Sequence, residues 1–395
     1  MIRKITIENF KSFGLRQEIP LQPISVLVGP NNSGKSNLLT FPRFLANAVS
    51  ANFVKALVVE SGGDISPLQG SQGWQGPAGS TGPTGFVSYV DAQSLQKRGH
   101  DSILHRPPTG AGHLCFGWET EAGNYALELT PSDPDGFEVE QHRLLDLQGR
   151  SPWVSPPGAV AKPPLDQLRD AARQRTAAYV AVCAPILEAR FVQLSLVALR
   201  KDAFVERDLA LDSSGLGLAA VVGKWRGAQP DKTKRLEDFV HKCIPAIQNV
   251  FVKPGDMPGT QGLWIRQEDD QEFDARHVSD GVLLCTALAA HILSAERGTL
   301  IMVEEPELGI HPPMLHELVE LIRRMVAEYE CQFLLTTHSR VLVDEFRDEP
   351  DAILRFRRTK DGTLVQRASD VPALLEALES STPGDLLQSN LFNAV

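Results

Sequence analysis

Two short stretches, far apart in the chain, carry residue types that could do chemistry. The first, GPNNSGKS at residues 29–36, fits G-x-x-x-x-G-K-[ST]. Gly29 and Gly34 let the backbone wrap a phosphate chain, Lys35 can reach β- and γ-phosphates, and Ser36 can ligate Mg²⁺. The second, LIMVEEPELGIHPP at residues 300–313, runs from four apolar residues straight into Glu304, Glu305, Pro306 and Glu307. Adjacent carboxylates are a costly way to end a buried strand. Beside a phosphate-binding loop they have a use. Glu304 can hold hydrated Mg²⁺, and Glu305, pointing elsewhere, can polarise the water that attacks a γ-phosphate. A third segment, CQFLLTT, ends in His338 and Ser339. Such strand ends converge on the nucleotide crevice of doubly wound sheets, which would bring His338 to the γ-phosphate.

These groups need elements to position them. Residues 24–28, ISVLV, are continuously apolar, as expected of a strand buried on both faces, and a helix should follow from about Lys35 to Val49. Residues 2–8 alternate Ile2, Ile5 and Ile7 with polar neighbours, which predicts a strand with one wet face. Residues 61–85 are rich in Gly, Pro, Ser and Gln and read as a flexible loop. Three strand-like runs between His113 and Leu147, separated by turn signals such as PSDPDG, predict an antiparallel subdomain. Residues 164–190 read as helical, and so do residues 234–250, with a kink at Pro245. Ser279 can cap a further helix whose body is apolar on most faces. A helix from Pro313 to Tyr329 and a hairpin around Asp361-Gly362 follow. The expected fold class is α/β: a head built from residues 1–60 and 260–395, interrupted by an insertion over 61–259 with a flexible loop, a β-rich arm and a helical segment.

Composition narrows the function classes. The chain has 395 residues, 42% of them hydrophobic, enough for two or three packed lobes. Its 39 basic against 49 acidic residues give a formal charge of −10, which argues against wholesale coating of nucleic acid. A local basic groove could still form from Arg355, Arg357, Arg358 and Lys360. The five cysteines are scattered without a CxxC pair, so neither a zinc site nor a disulfide framework is suggested. With no long apolar run and no signal-peptide pattern at MIRKITIENF, a cytoplasmic location without membrane attachment is the expectation.

Taken together, these pieces resemble the ABC-type ATPases of the SMC/RecF branch, and in particular the compact AAA-like ATPase portion of OLD-family proteins. ITIENFKSFG looks like that family's opening strand and loop, GPNNSGKS its Walker A, VSDG (Val278 to Gly281) its signature, VEEPELGIHP its Walker B and D-loop, and TTHS its switch-histidine segment. Weaker echoes lie in YALELTPSDPDGFEVEQHRLL, in VALRK (Val197 to Lys201) and in SSGLGLAAVV. The resemblance implies ATP and Mg²⁺ as ligands, held by Gly29, Pro30, Asn31, Asn32, Ser33, Gly34, Lys35, Ser36 and Asn37. It also implies a homodimer of ATP-sandwiched heads, or a higher oligomer, in which Ser279 and Gly281 of one head cap the γ-phosphate of the other. Ser279 at a helix N-terminus suits an anion. Glu304 departs from the aspartate common in the family. No Q-loop residue can be assigned, with Gln69, Gln72, Gln75, Gln93 and Gln96 as candidates, and Lys11 is a further nucleotide-side candidate. The chain has no room for the TOPRIM nuclease domain that many OLD-type proteins append.

The function expected from this resemblance is an ATP-hydrolysing switch that controls DNA handling or a separately encoded effector, a nuclease or toxin, in DNA repair or anti-phage defence. A transporter's nucleotide-binding subunit shares the same motifs, but usually shows LSGGQ where this chain has VSDGV. A non-hydrolysing scaffold would require the two glutamates to be silent.

Overall fold

Strands that are apolar at every position can be buried on both faces, and a sheet of them separates two cores. This chain does so. Its computed structural model describes residues 1–50, 113–132, 136–146, 148–149, 164–205 and 211–394. The run 61–85 and the five glutamine candidates lie outside the described residues, as does part of the PSDPDG turn.

In chain order the strands are β1 (Ile2–Glu8), β2 (Gln17–Pro20), β3 (Ile24–Val28), β4 (Leu114–Thr120), β5 (Gly123–Ser132), β6 (Gly136–Asp146), β7 (Arg190–Val192) and β8 (Ala203–Phe204). They continue with β9 (Ile247–Pro254), β10 (Thr260–Gln267), β11 (Glu272–Asp274), β12 (Leu300–Glu304), β13 (Gln332–Thr336), β14 (Ile353–Thr359) and β15 (Gly362–Arg367). The longer helices are α1 (Lys35–Ser50), α2 (Pro164–Arg173), α3 (Leu218–Ala228), α4 (Pro230–Cys243), α5 (Asp280–Leu293) and α6 (Pro312–Tyr329).

The central sheet has the order β15-β14-β3-β13-β12-β7, parallel throughout except for the β14–β15 hairpin. Alternate residues serve opposite cores. Val26, Val28, Ile301, Val303, Phe333 and Leu335 pack with the buried faces of α3, α4, α5 and α6. Leu27, Leu300, Met302 and Leu334 pack with α1 and with an antiparallel sheet of order β2-β1-β4-β5-β6. Each such side chain contributes roughly 1.5–3 kcal/mol by burial. Phe10, Phe44 and Phe116 meet in the second core, and the buried Gln332 ties the two sheets by bonding both polar backbone groups of Ile2 at 2.8 Å.

Several expectations change. The helix read over 234–250 stops at Cys243, and Ile247 and Val250 belong to β9, which forms a hairpin with β10. Pro245 is the cause: it restricts Ile244 to an extended backbone (φ −140°, ψ 87°) instead of kinking a continuing helix. The helical run 164–190 is broken as well, into α2, a π-helical turn at Tyr179–Cys183, a short helix at Ala184–Leu187 and the start of β7. The range read as an insertion contributes strands to all three sheets, β4 pairing with β1, β7 with β12, and β8 and β9 with β10.

The basic groove loses a member. Arg355 sits on β14 opposite Val28, 1% exposed, and none of its three guanidinium nitrogens has a hydrogen-bond partner. Burial, aided by the nearby Arg357 charge, pushes its pKa down to about 10. An unpaired buried cation opposes folding. Arg355→Met should therefore raise the thermal midpoint by roughly 2–4 °C. Calorimetry would show it, and a lowered midpoint would mean that the side chain's packing outweighs its charge.

Candidate nucleotide site

The parallel strands end level with one another, and the chemistry lies at those ends. After β3, Gly29 (φ 150°), Asn32 (φ 62°) and Gly34 (φ 104°) turn the backbone into a closed loop that runs into α1. Pro30, Asn31 and Asn32 form its exposed rim, while Ser33, Gly34 and Lys35 are buried. Lys35 Nζ donates to Gly29 O at 2.6 Å and Pro30 O at 3.0 Å, folding the side chain back across the loop. Burial pushes its ammonium down to about 8, against the opposing pull of Glu305, Glu304 and Glu307. Ser33 Oγ is buried without a partner, an unused donor inside the loop.

Glu304 is the last residue of β12 and pairs in register with Thr336 of β13, which in turn pairs with Leu27. That register carries its carboxylate to Ser36, whose hydroxyl donates to Glu304 Oε1. Gln193 Nε2 donates to the other oxygen, Oε2, at 3.0 Å. A hydroxyl and a carboxylate thus meet at one point, with a side-chain amide beside them whose own oxygen is a further hard ligand once the amide turns. This is the ligand chemistry that Mg²⁺ prefers, so the residues fit the ion, and glutamate in place of aspartate still reaches Ser36.

Gln193 escaped the sequence reading, which looked for a glutamine between residues 69 and 96. The available signal was its position directly after the short run Arg190–Val192, at the end of a strand that adjoins β12.

Glu305 follows the end of β12, and its carboxylate lies beside the histidine segment. The backbone enters the left-handed region at Glu305 (φ 46°), and its N–H is held by the carbonyl and hydroxyl oxygens of Thr336, both at 3.1 Å. Its carboxylate Oε1 lies 3.9 Å from His338 Nε2. Burial and the Lys35 charge push the His338 pKa down, against Glu305 and Glu307. Glu307, in the loop that follows, points inward. Its Oε1 accepts from Thr337 Oγ1 at 2.8 Å and from the His338 N–H at 2.7 Å, which fixes the backbone of the histidine segment.

Ser279 and Gly281 are not brought to this cluster. Ser279 stands at the N-cap of α5, exposed, and its hydroxyl makes no capping bond, contrary to the expected cap. Asp280, between them, is paired with Arg200. Gly281 packs on the loop that follows Glu305: a Cβ there would lie 2.8 Å from Gly309 O. Asn37, beyond Ser36, donates to Ser12 Oγ at 2.7 Å, and Lys11 Nζ to Thr40 Oγ1 at 3.1 Å. Among the described residues no helix is long and apolar enough to cross a membrane.

Residues 1–69 match a family described as AAA ATPase domain, and residues 165–344 one described as AAA domain, putative AbiEii toxin, Type IV TA system. No curated protein matches the chain. Among solved structures, an SmcHead bound to the C-winged helix domain of ScpA is 14% identical with a TM-score of 0.54, over 92% of this chain and 96% of that one. The Smc head domain with an extended coiled coil from Pyrococcus furiosus, bound to the C-terminal domain of ScpA, is 12% identical with a TM-score of 0.50, over 96% and 99%. Two AAA-type family models thus match separate parts of the chain, each less than half of it, around a Walker-type loop, and the fold is the one seen in Smc heads.

Proposed function

We propose that this protein binds and hydrolyses ATP as a switch, with two ATP-bound heads closing on each other and the closed state controlling a partner. The observation that carries this reading is the convergence of Lys35, Ser36, Gln193, Glu304, Glu305 and His338 at the ends of adjoining parallel strands. Lys35 and the loop amides hold the phosphate chain, and Ser36, Glu304 and Gln193 hold Mg²⁺. Bound there, the ion would supply neutralisation of the developing phosphate charge. Glu305 orients a water in line with the γ-phosphorus and accepts its proton as the water oxygen bonds to phosphorus and the bond to the ADP oxygen breaks. His338 hydrogen-bonds the γ-phosphate.

The dimer is supported by Ser279 and Gly281, whose helix N-terminus has no side-chain cap and suits a γ-phosphate held by a second head. The partner class is supported by the second AAA match, whose description names a putative toxin of a toxin–antitoxin system. A separately encoded effector in a defence setting, with the head resembling the OLD-like branch, fits it best. The effector could be a nuclease or toxin, and DNA is a possible second ligand.

Two measurements test the ATPase reading. Glu305→Gln should lower ATP turnover by at least about 100-fold while leaving Mg-ATP binding intact, and the variant should run as a dimer with ATP in light scattering. Wild-type turnover in this variant would remove Glu305 from the chemistry. The second test is pH. Free Lys35 loses its proton near pH 8, and bound phosphates restore it, so the complex holds more protons than the free protein above that pH. Mg-ATP affinity should be flat below about pH 7 and fall toward tenfold per pH unit above 8. Folding stability should move the other way, because the unfolded chain keeps the Lys35 proton up to its ordinary pKa of 10.5 and so binds more protons between 8 and 10.5. Titration calorimetry and chemical denaturation across this range would separate the two trends.

A further inference from the structure

The β14–β15 hairpin touches the phosphate loop and the β1–β2 loop at once. Thr363 N donates to Ser12 O at 2.7 Å, and Gly362 (φ 113°) has no space for a side chain, since a Cβ would lie 2.5 Å from Gly14 N. At the centre of this contact is the Thr363 hydroxyl, on a residue 3% exposed. Its Oγ1 lies 2.8 Å from Ser33 O and 2.8 Å from Ser12 Oγ, and Ser12 Oγ lies 2.7 Å from Asn37 Nδ2.

Proton counting gives these contacts a direction. A hydroxyl has one proton to donate, and a carbonyl can only accept. The Thr363 proton therefore goes to Ser33 O, the Ser12 proton to Thr363 Oγ1, and Asn37 Nδ2–H to Ser12 Oγ. The relay starts on the first turn of α1 and returns to the loop before it, bracketing Gly34 and Lys35. Gly34 is pressed against it: a Cβ there would lie 2.3 Å from Thr363 Oγ1 and 2.5 Å from Ser12 Oγ.

In a planar trans peptide the carbonyl and the following N–H point in opposite directions. Holding Ser33 O toward Thr363 therefore turns the Gly34 N–H the other way, away from the hairpin. We propose that Thr363 and Ser12 are positioning residues, which hold the Ser33–Gly34 peptide so that the Gly34 N–H is presented to a nucleotide phosphate. This rests on the nucleotide-binding reading above. Without the hydroxyl the peptide can turn over at little steric cost, because Gly34 lacks a Cβ. The competent fraction falls, and apparent affinity falls in proportion.

The test compares Thr363→Val, which keeps the shape and removes the hydroxyl, with Thr363→Ser, which restores it, and with Ser12→Ala. Mg-ATP binding by calorimetry should weaken about fivefold in Thr363→Val, the worth of one hydrogen bond, and stay within about twofold of wild type in Thr363→Ser. Ser12→Ala should fall between them, and turnover at saturating ATP should stay within about twofold of wild type in all three. In nucleotide-free protein, conformational exchange at the Gly34 amide, read by NMR relaxation dispersion, should increase in Thr363→Val and return to the wild-type level in Thr363→Ser. Unchanged exchange at Gly34 overturns the inference whatever the wild type binds. An increase that extends through β12 and β13 also overturns it, by assigning Thr363 to fold stability. Failure of the wild type to bind Mg-ATP, with Gly34 still loosened by Thr363→Val, would overturn the nucleotide reading instead.

Discussion

The site depends on one constraint, the parallel register of β3, β13 and β12. Leu27 pairs with Thr336 and Thr336 with Glu304, so the three chains leave the sheet at the same level. A slip of one residue would send each side chain to the opposite face. Glu304 would lose Ser36, and Val303 and Leu335 would trade cores with Met302 and Leu334. Register is secured because both faces are apolar and each is filled by a different set of helices and strands. The geometry of the candidate site is thus held by packing that lies mostly away from it.

Close backbone packing supplies the second layer of control. Gly29 fits against Phe356 O, and a Cβ on Gly29 would come within 2.3 Å of that oxygen. Gly281 meets Gly309 O in the same way. At both places a loop that handles phosphate in the proposed mechanism rests on backbone from a distant part of the chain. Rigid contacts of this kind do not deform gradually, and this is what a two-position device needs.

Much of this was legible in the sequence, for reasons that can be stated. The Walker loop, the apolar run ending in two glutamates and the His338 segment are local patterns, and the elements that hold them obey simple periodicities. The path of β7 was not legible. A three-residue strand carries little periodic signal, and its place beside β12 is a long-range outcome of packing, so Gln193 stayed hidden. Pro245 illustrates the opposite failure. The apolar spacing around it fits a helix, but the proline's demand on Ile244 decides the local backbone, and the same apolar residues serve a strand equally well. Arg355 shows a limit of charge counting, since a cluster of basic letters says nothing about which of them faces water. Glu307 shows that a carboxylate in an apparently exposed loop can be a structural tie.

The arrangement also says where a switch of the proposed kind would store its two states. Glu305 occupies a left-handed backbone position pinned by Thr336, and the loop that begins there reaches Gly309, which abuts the first turn of the signature helix. A cavity of about 290 Å³ opens between these parts, lined by Leu284 and Leu288 of that helix, by Gln193 and by Leu308. Filled space resists rearrangement, whereas a void beside a strained residue leaves room for the helix and the loop to shift together. Any force that a second head applies at Ser279 would reach Glu305 through the packing of Gly281 and Leu284 on Gly309. Gly281 and Gly309 are then more than sites of tight fit, because on this reading they are where closure of the heads and activation of water become the same movement.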